Sequence, residues 1–218
     1  PRIDFEMLEK YNEGIVAASA CLGGVYASDF WRSSTYDDEG NRTGFDRNTA
    51  LSAMRKTTSR MVDIFGDRWY AELQWNNIPE QHHLNQLVVQ VAGEQNVKLI
   101  STADSHYPNP DAWKDRELYN RLGWLGKGRP SWAEEDSDLP VDVDEVGYEL
   151  YPKNGDQMWD SYKKYSAMCN ETYDDDMILE SITNTYSIAH DRIDKFVPDN
   201  TVRLPDFVVP AGLTATEA

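Results

Sequence analysis

The stretch from Arg68 to Ala103 sets the tightest limit on how this chain can fold. "RWYAELQW" is rich in aromatics and alternates in character, as a half-buried strand does. Pro79 then opens a run in which Leu84, Leu87, Val88, Val91 and Ala92 fall at the i, i+3, i+4, i+7, i+8 spacing of an amphipathic helix. "VKLISTA" follows as a buried strand. Strand, helix and strand in close succession form the βαβ unit of a parallel α/β sheet or barrel, because parallel neighbours need a crossover and a helix is the compact way to make one.

The flanking sequence extends that pattern. "EGIVAASACLGG" predicts another buried strand from Ile15 to Ala20, ended by a Gly-bounded turn at Cys21 to Gly24. "NTALSAMRKTTSRMVDIF" predicts a helix with Leu51, Met54, Met61 and Phe65 on one stripe, Asn48 or Thr49 as its cap and Gly66 at its C-terminal side. Between them, Trp31 to Asp46 is polar and turn-rich and reads as a loop or insertion. Beyond Pro110 the texture changes: "DAWKDRELYNRLGWLG", "NGDQMWDSYKKYS" and "DDDMILESITNTYSIAHDRI" read as helices, "AEEDSDLPVDVDEVGYEL" as an acidic connector, and "VRLPDFVVPAGLTATEA" as an extended exit segment. No fixed-period repeat is visible. At 218 residues the expectation is one domain with at most a small appendage.

Composition narrows the function. A formal net charge of −17 repels phosphate backbones, so the chain is a poor candidate for gripping nucleic acid by itself. Such acidity suits a solvated surface, a cationic partner or carboxylates gathered round cations. No window approaches the ~18 apolar residues of a membrane span, and "PRIDFEMLEK" lacks a signal-peptide layout, so the expected compartment is cytoplasmic. With Cys21 and Cys169 as the whole cysteine complement, a disulfide framework is not expected. Phosphate-cradling glycine loops, the G-x-S-x-G elbow and C-x-x-C are absent, which argues against nucleotide binding and serine hydrolysis.

Functional groups of parallel α/β folds collect at the carboxyl ends of strands. Cys21, Glu72 and the pair Asp104/His106 take such positions. Asp104 and His106, two apart on an extended segment, point to one side and suit one cation; a Cys thiolate beside them favours zinc, whereas carboxylate and imidazole alone also admit manganese or iron. The competing readings are an Asx-turn with a hydrogen-bonded histidine, a small buried thiol at Cys21 and a cross-strand pair at Glu72. His82 and His83 read as a solvated pair, His190 as a group complementing a helix dipole, and the run Asp136, Asp138, Asp142, Asp144 as a solvated connector whose Pro140 spoils a calcium loop.

Six blocks in order, "LEKYNEGIVAASACLGG", "FGDRWYAELQWNNIPEQHHLNQ", "LISTADSHYPNPDA", "YELYPKNGDQMWDSY", "ILESITNTYSIAHDRI" and "LPDFVVPAGLTATEA", together resemble the PHP (polymerase and histidinol phosphatase) domain of bacterial C-family replicative DNA polymerases, the DNA polymerase III alpha subunits. The resemblance implies a partial distorted βα barrel over 1–112, a helical and acidic part over 113–200 and, over 201–218, a linker toward the polymerase thumb and palm. It implies a divalent metal (zinc, manganese or iron), with Asp104 and His106 in the family's final Asp-x-His ligand pair, Cys21 in the place of a mid-domain ligand, and Glu72 as a glutamate beside the cluster.

The family's N-terminal His-x-His strand is missing, so the expectation is a segment, a truncated product or one piece of a split gene, with an incomplete metal site. The long Trp31–Asp46 stretch and the acidic connector depart from common bacterial sequences and suggest a phage-encoded or distant polymerase. The role implied is a structural and proofreading-associated domain, inactive alone or at most a metal-dependent phosphoesterase or 3′–5′ exonuclease. Its partners would be the rest of the polymerase or a complementary fragment and a proofreading exonuclease subunit, with DNA met through other domains. The rivals are a stand-alone PHP phosphoesterase and a metal-free interaction module.

Overall fold

The computed structural model describes residues 3–124, 147–193, 197–201 and 211–212. The central βαβ unit forms as its periodicity demands. β1 (Ala17–Ala18), β2 (Ser34–Tyr36), β3 (Arg42–Phe45), β4 (Trp69–Gln74) and β5 (Lys98–Thr102) are the described strands. β1, β4 and β5 make a parallel sheet in the order β1-β4-β5, with Ala17 opposite Trp69 and Glu72 opposite Ile100. Every residue of β4 except Glu72 is buried, as befits a central strand covered on both faces. A closed barrel is not formed among the described residues, so the parallel α/β expectation holds at the level of a small open sheet.

Helices α1 (Phe5–Tyr11), α2 (Val25–Arg32), α3 (Arg47–Phe65), α4 (Pro79–Gln95), α5 (Trp113–Trp124), α6 (Gly155–Met168) and α7 (Asp175–Ser187) pack around it, and α7 runs on into a π-helical turn at Ile188–Arg192. The whole predicted stripe of α4 is buried, and Pro79 sits in its first turn. α3 buries Leu51, Met54, Met61 and Phe65. Thr58 fills the gap in that stripe because its hydroxyl bonds to the Met54 carbonyl (2.7 Å) and meets the Tyr26 hydroxyl at 2.7 Å. The cap is Asp46, whose carboxylate accepts from the Thr49 amide at 2.6 Å, rather than Asn48 or Thr49 two and three residues later. Met158, Tyr162 and Tyr165 of α6 and Ile178 of α7 join the same buried cluster as β4 and α4.

Three further expectations are corrected. The Ile15–Ala20 strand shrinks to Ala17–Ala18, because it is paired on one side only and Ala20 turns into the left-handed region at φ 63°. The Trp31–Asp46 loop begins inside α2 and continues as the β2–β3 hairpin. The Asp37 carboxylate organises its turn by accepting from the Glu39 (3.0 Å) and Asn41 (2.8 Å) amides, with Gly40 at φ 85°. Phe30 and Phe45 then clasp the hairpin to the body with ring centroids 4.9 Å apart. His82 is fully buried rather than solvated.

The two edges of the parallel sheet differ. Along β5, Asn184 of α7 donates to the Leu99 carbonyl (3.0 Å) and Thr185 to the Ser101 carbonyl (3.0 Å), which seals that edge. Among the described residues no comparable side-chain bonds cover β1. Both cysteines are free thiols. No described helix is long and apolar enough to cross a membrane. The acidic run Asp136 to Asp144 and most of the exit segment lie outside the described residues.

Candidate functional site

All three strands of the parallel sheet deliver their carboxyl ends to one side, and the groups singled out in the sequence stand there. After β1 the chain makes the tight turn Cys21–Gly24, closed by the Gly24 amide on the Cys21 carbonyl at 2.8 Å. Ser19 hands this turn to the central strand by accepting the Glu72 amide on its hydroxyl at 2.9 Å. The Glu72 carboxylate receives the Gln74 side-chain amide (3.0 Å) and the Thr102 hydroxyl. Gln74 and Thr102 are register partners across β4 and β5, so the pleat brings all three side chains to one face. Glu72 is thus tied to strand neighbours, without a basic partner among the described residues.

Beyond β5, Asp104 adopts φ 47°, in the left-handed region that Asp tolerates better than most non-glycine residues. Its carboxylate lies 3.4 Å from His106 Nε2, and both side chains are partly exposed. The loop is held from outside by the segment at Leu150. The amides of His106 (2.7 Å) and Tyr107 (3.1 Å) donate to the Leu150 carbonyl, and the Leu150 amide donates to the Tyr107 hydroxyl at 2.8 Å. Behind Leu150, the Glu149 carboxylate accepts from Lys164 (2.8 Å), while Lys153 reaches the Glu149 carbonyl at 2.5 Å and lies over the Tyr151 ring. Burial pushes the Lys153 ammonium down to about 8, with Glu149 pulling the other way.

Asp104 and His106 do meet, across 3.4 Å. Cys21 does not join them: among the described residues no three or more His, Cys, Asp and Glu side chains are grouped closely enough to hold a metal ion. Even an open catalytic zinc takes three protein ligands. The pair therefore does not by itself fit a metal. Cys21 instead receives a weak contact from the Gly23 amide at 3.5 Å.

Sequence reasoning missed a second polar centre, at the loop after β4. His82 Nε2 faces the Asn76 carbonyl at 2.9 Å, and since a carbonyl can only accept, Nε2 carries the proton and Nδ1 accepts from the Tyr173 hydroxyl at 3.0 Å. Burial holds the imidazole below its ordinary pKa, against the opposing pull of the Asn76 carbonyl and Glu171. The sign follows: below about pH 6.5 the unfolded chain takes up a proton that folded His82 resists, so stability is complete above that pH and falls as the pH drops toward the folded value. Urea titrations between pH 5 and 7.5 should show a steeper acid loss for the parent than for His82→Gln; equal slopes would contradict a neutral, buried His82. The adjacency of His82 and His83 gave no signal of this, because adjacent helical residues face different ways and only packing decides which one is inside. His190 stacks on Tyr186, centroids 4.1 Å apart, rather than serving only the helix end.

No protein-family model matches the chain. Among curated proteins it is similar to the DNA polymerase III subunit alpha of Aquifex aeolicus, 42% identical over 111 residues, covering 51% of this chain and 8% of that protein. It is 27% identical over 189 residues to the same subunit of Campylobacter jejuni, covering 87% of this chain and 13% of that protein. To that of Borreliella burgdorferi it is 27% identical over 210 residues, covering 96% and 15%. The chain spans less than a sixth of the length of these relatives, and the similarity relates it to a segment of DNA polymerase III alpha subunits.

Proposed function

We propose that the chain is a PHP-type segment of a DNA polymerase III alpha subunit and serves DNA replication as a scaffold, contributing two donors, Asp104 and His106, to a divalent-metal site whose other ligands lie outside it. The observation that carries this reading is the Asp104–His106 contact of 3.4 Å at the end of β5, in a chain related over most of its length to that subunit. Its partners would be the rest of the polymerase and a proofreading exonuclease, and DNA would be met through other domains, in keeping with a net charge of −17. A second reading, a metal-free interaction module, draws on the missing third donor among the described residues.

Metal analysis and calorimetry of the purified chain separate them. The scaffold reading expects weak zinc or manganese binding that falls by about tenfold or more in His106→Ala, while melting changes little because the pair is partly exposed. No binding, with His106→Ala indistinguishable from the parent, would leave the interaction module. Phosphoesterase turnover by the chain alone would overturn both and favour a stand-alone enzyme.

A further inference from the structure

We propose that the cleft between α4, α7 and the start of β5 binds a small zwitterion with an apolar body, of the class of the branched apolar α-amino acids. The inference rests on the cleft alone and does not depend on the polymerase reading. Lys98 opens β5, so the cleft lies at the opposite end of that strand from Asp104 and His106. Its volume is about 290 Å³. That is the small end of the range for ligand pockets and suits a guest of amino-acid size.

The floor of the cleft is apolar. Val89, Val97, Leu99 and Met177 line it, each partly buried and packed against the core. The Ser181 hydroxyl beneath them is satisfied by donating to the Ile178 carbonyl at 2.7 Å, so the floor asks for no polar guest atom. Gly93 of α4 forms part of the wall, although glycine is the least favourable residue in a helix after proline. A Cβ there would meet nothing within 4 Å, so no crowding inside the chain calls for a glycine; its effect is to keep that wall bare.

Charge at the rim selects the guest. Lys98 and Glu180 both line the cleft and are exposed, and neither forms an ion pair with the other or with any other described residue. The Asn184 side-chain nitrogen is engaged by the Leu99 carbonyl (3.0 Å), which leaves its oxygen as an acceptor. With Glu180 and the C-terminal end of α4, whose last turn carries no basic residue, that oxygen favours an ammonium. Lys98 favours a carboxylate. A simple anion would meet Glu180 and a simple cation would leave Lys98 unmatched, whereas a zwitterion with an aliphatic side chain answers the floor and both charges.

The test uses the full chain, labelled for NMR, with leucine as the probe. The expected result is a dissociation constant of roughly 1–10 mM, with shifts at the amides of Gly93, Asn96 and Lys98 and at the methyls of Val89, Val97, Leu99 and Met177. Isoamylamine lacks the carboxylate and 4-methylpentanoate lacks the ammonium; each should bind about fivefold more weakly, the scale of an exposed ion pair. Gly93→Leu should abolish binding by filling the wall, with a melting temperature no lower than the parent's. Lys98→Gln should remove the preference for leucine over isoamylamine and Glu180→Gln that over 4-methylpentanoate, while Lys56→Gln, exposed on α3, should change neither. Leucine that leaves these residues unshifted up to about 50 mM, amine or acid that binds as well as leucine, or binding that persists in Gly93→Leu would each overturn the proposal. So would N-acetyl-leucine amide binding as tightly as leucine, which would make the occupant an apolar side chain of another polypeptide.

Discussion

Gly24→Ala should destabilise the chain by about 2–3 kcal/mol, lowering the melting temperature by roughly 5–10 °C. The backbone angle is not the reason, because Gly24 lies at φ −80°. Space is. A Cβ there would press into the Ser19 carbonyl oxygen and lie 3.0 Å from the Ala20 Cβ and 3.1 Å from the Cys21 carbonyl oxygen. These are backbone atoms or atoms fixed to them, so the turn must open, and it can open only by moving Ser19, whose hydroxyl holds the Glu72 amide. The expected signature is therefore twofold: a lower melt, and amide shifts that spread from the Cys21 turn to Glu72 and Thr102. A melting temperature within about 1 °C of the parent would show that the turn relaxes freely and that the strand-end site is softer than its contacts suggest.

Phe30→Ala should cost about 3–4 kcal/mol, the range for emptying a buried aromatic site. Phe30 is wholly buried in α2 and touches Trp31 and Phe45 with ring centroids 4.9 Å away in each case. The Arg42 guanidinium lies over the Phe30 and Trp31 rings and also bonds Glu80 of α4 at 2.8 Å. Removing the ring should loosen the β2–β3 hairpin before the rest, so hydrogen exchange at Ser34 to Phe45 should accelerate more than exchange in β4. Leu179→Ala, at a side chain 54% exposed, is the control and should stay within about 0.5 kcal/mol. Uniform acceleration across the molecule would mean that the hairpin unfolds only with the core.

The candidate site was half legible. Asp104 and His106 were paired on the assumption of an extended segment, and they do approach to 3.4 Å, but through a left-handed turn at Asp104 (φ 47°) that their spacing did not announce. The partners of Glu72 were not foreseen, since Thr102 lies across the sheet and Ser19 follows another strand, and their meeting depends on register. Cys21 was grouped with the pair by its position after a strand. The folded chain brings no such trio together among the described residues, because sharing one end of a sheet does not fix how each loop leaves it.

What the sequence determined by itself was local and periodic: the α4 stripe and its opening proline, the α3 stripe, the strands on either side of α4, and hence a parallel α/β unit. These follow from repeats within one segment, where burial of one face is the dominant energy and the chain needs no distant information. Tertiary structure alone decided that His82 goes inside against Tyr173, that Asn184 and Thr185 seal one sheet edge, and that Leu150 clamps the loop of His106. Each of these joins groups far apart in sequence. A polar side chain declares that it needs a partner, but which partner it finds is settled only when packing sets the elements side by side.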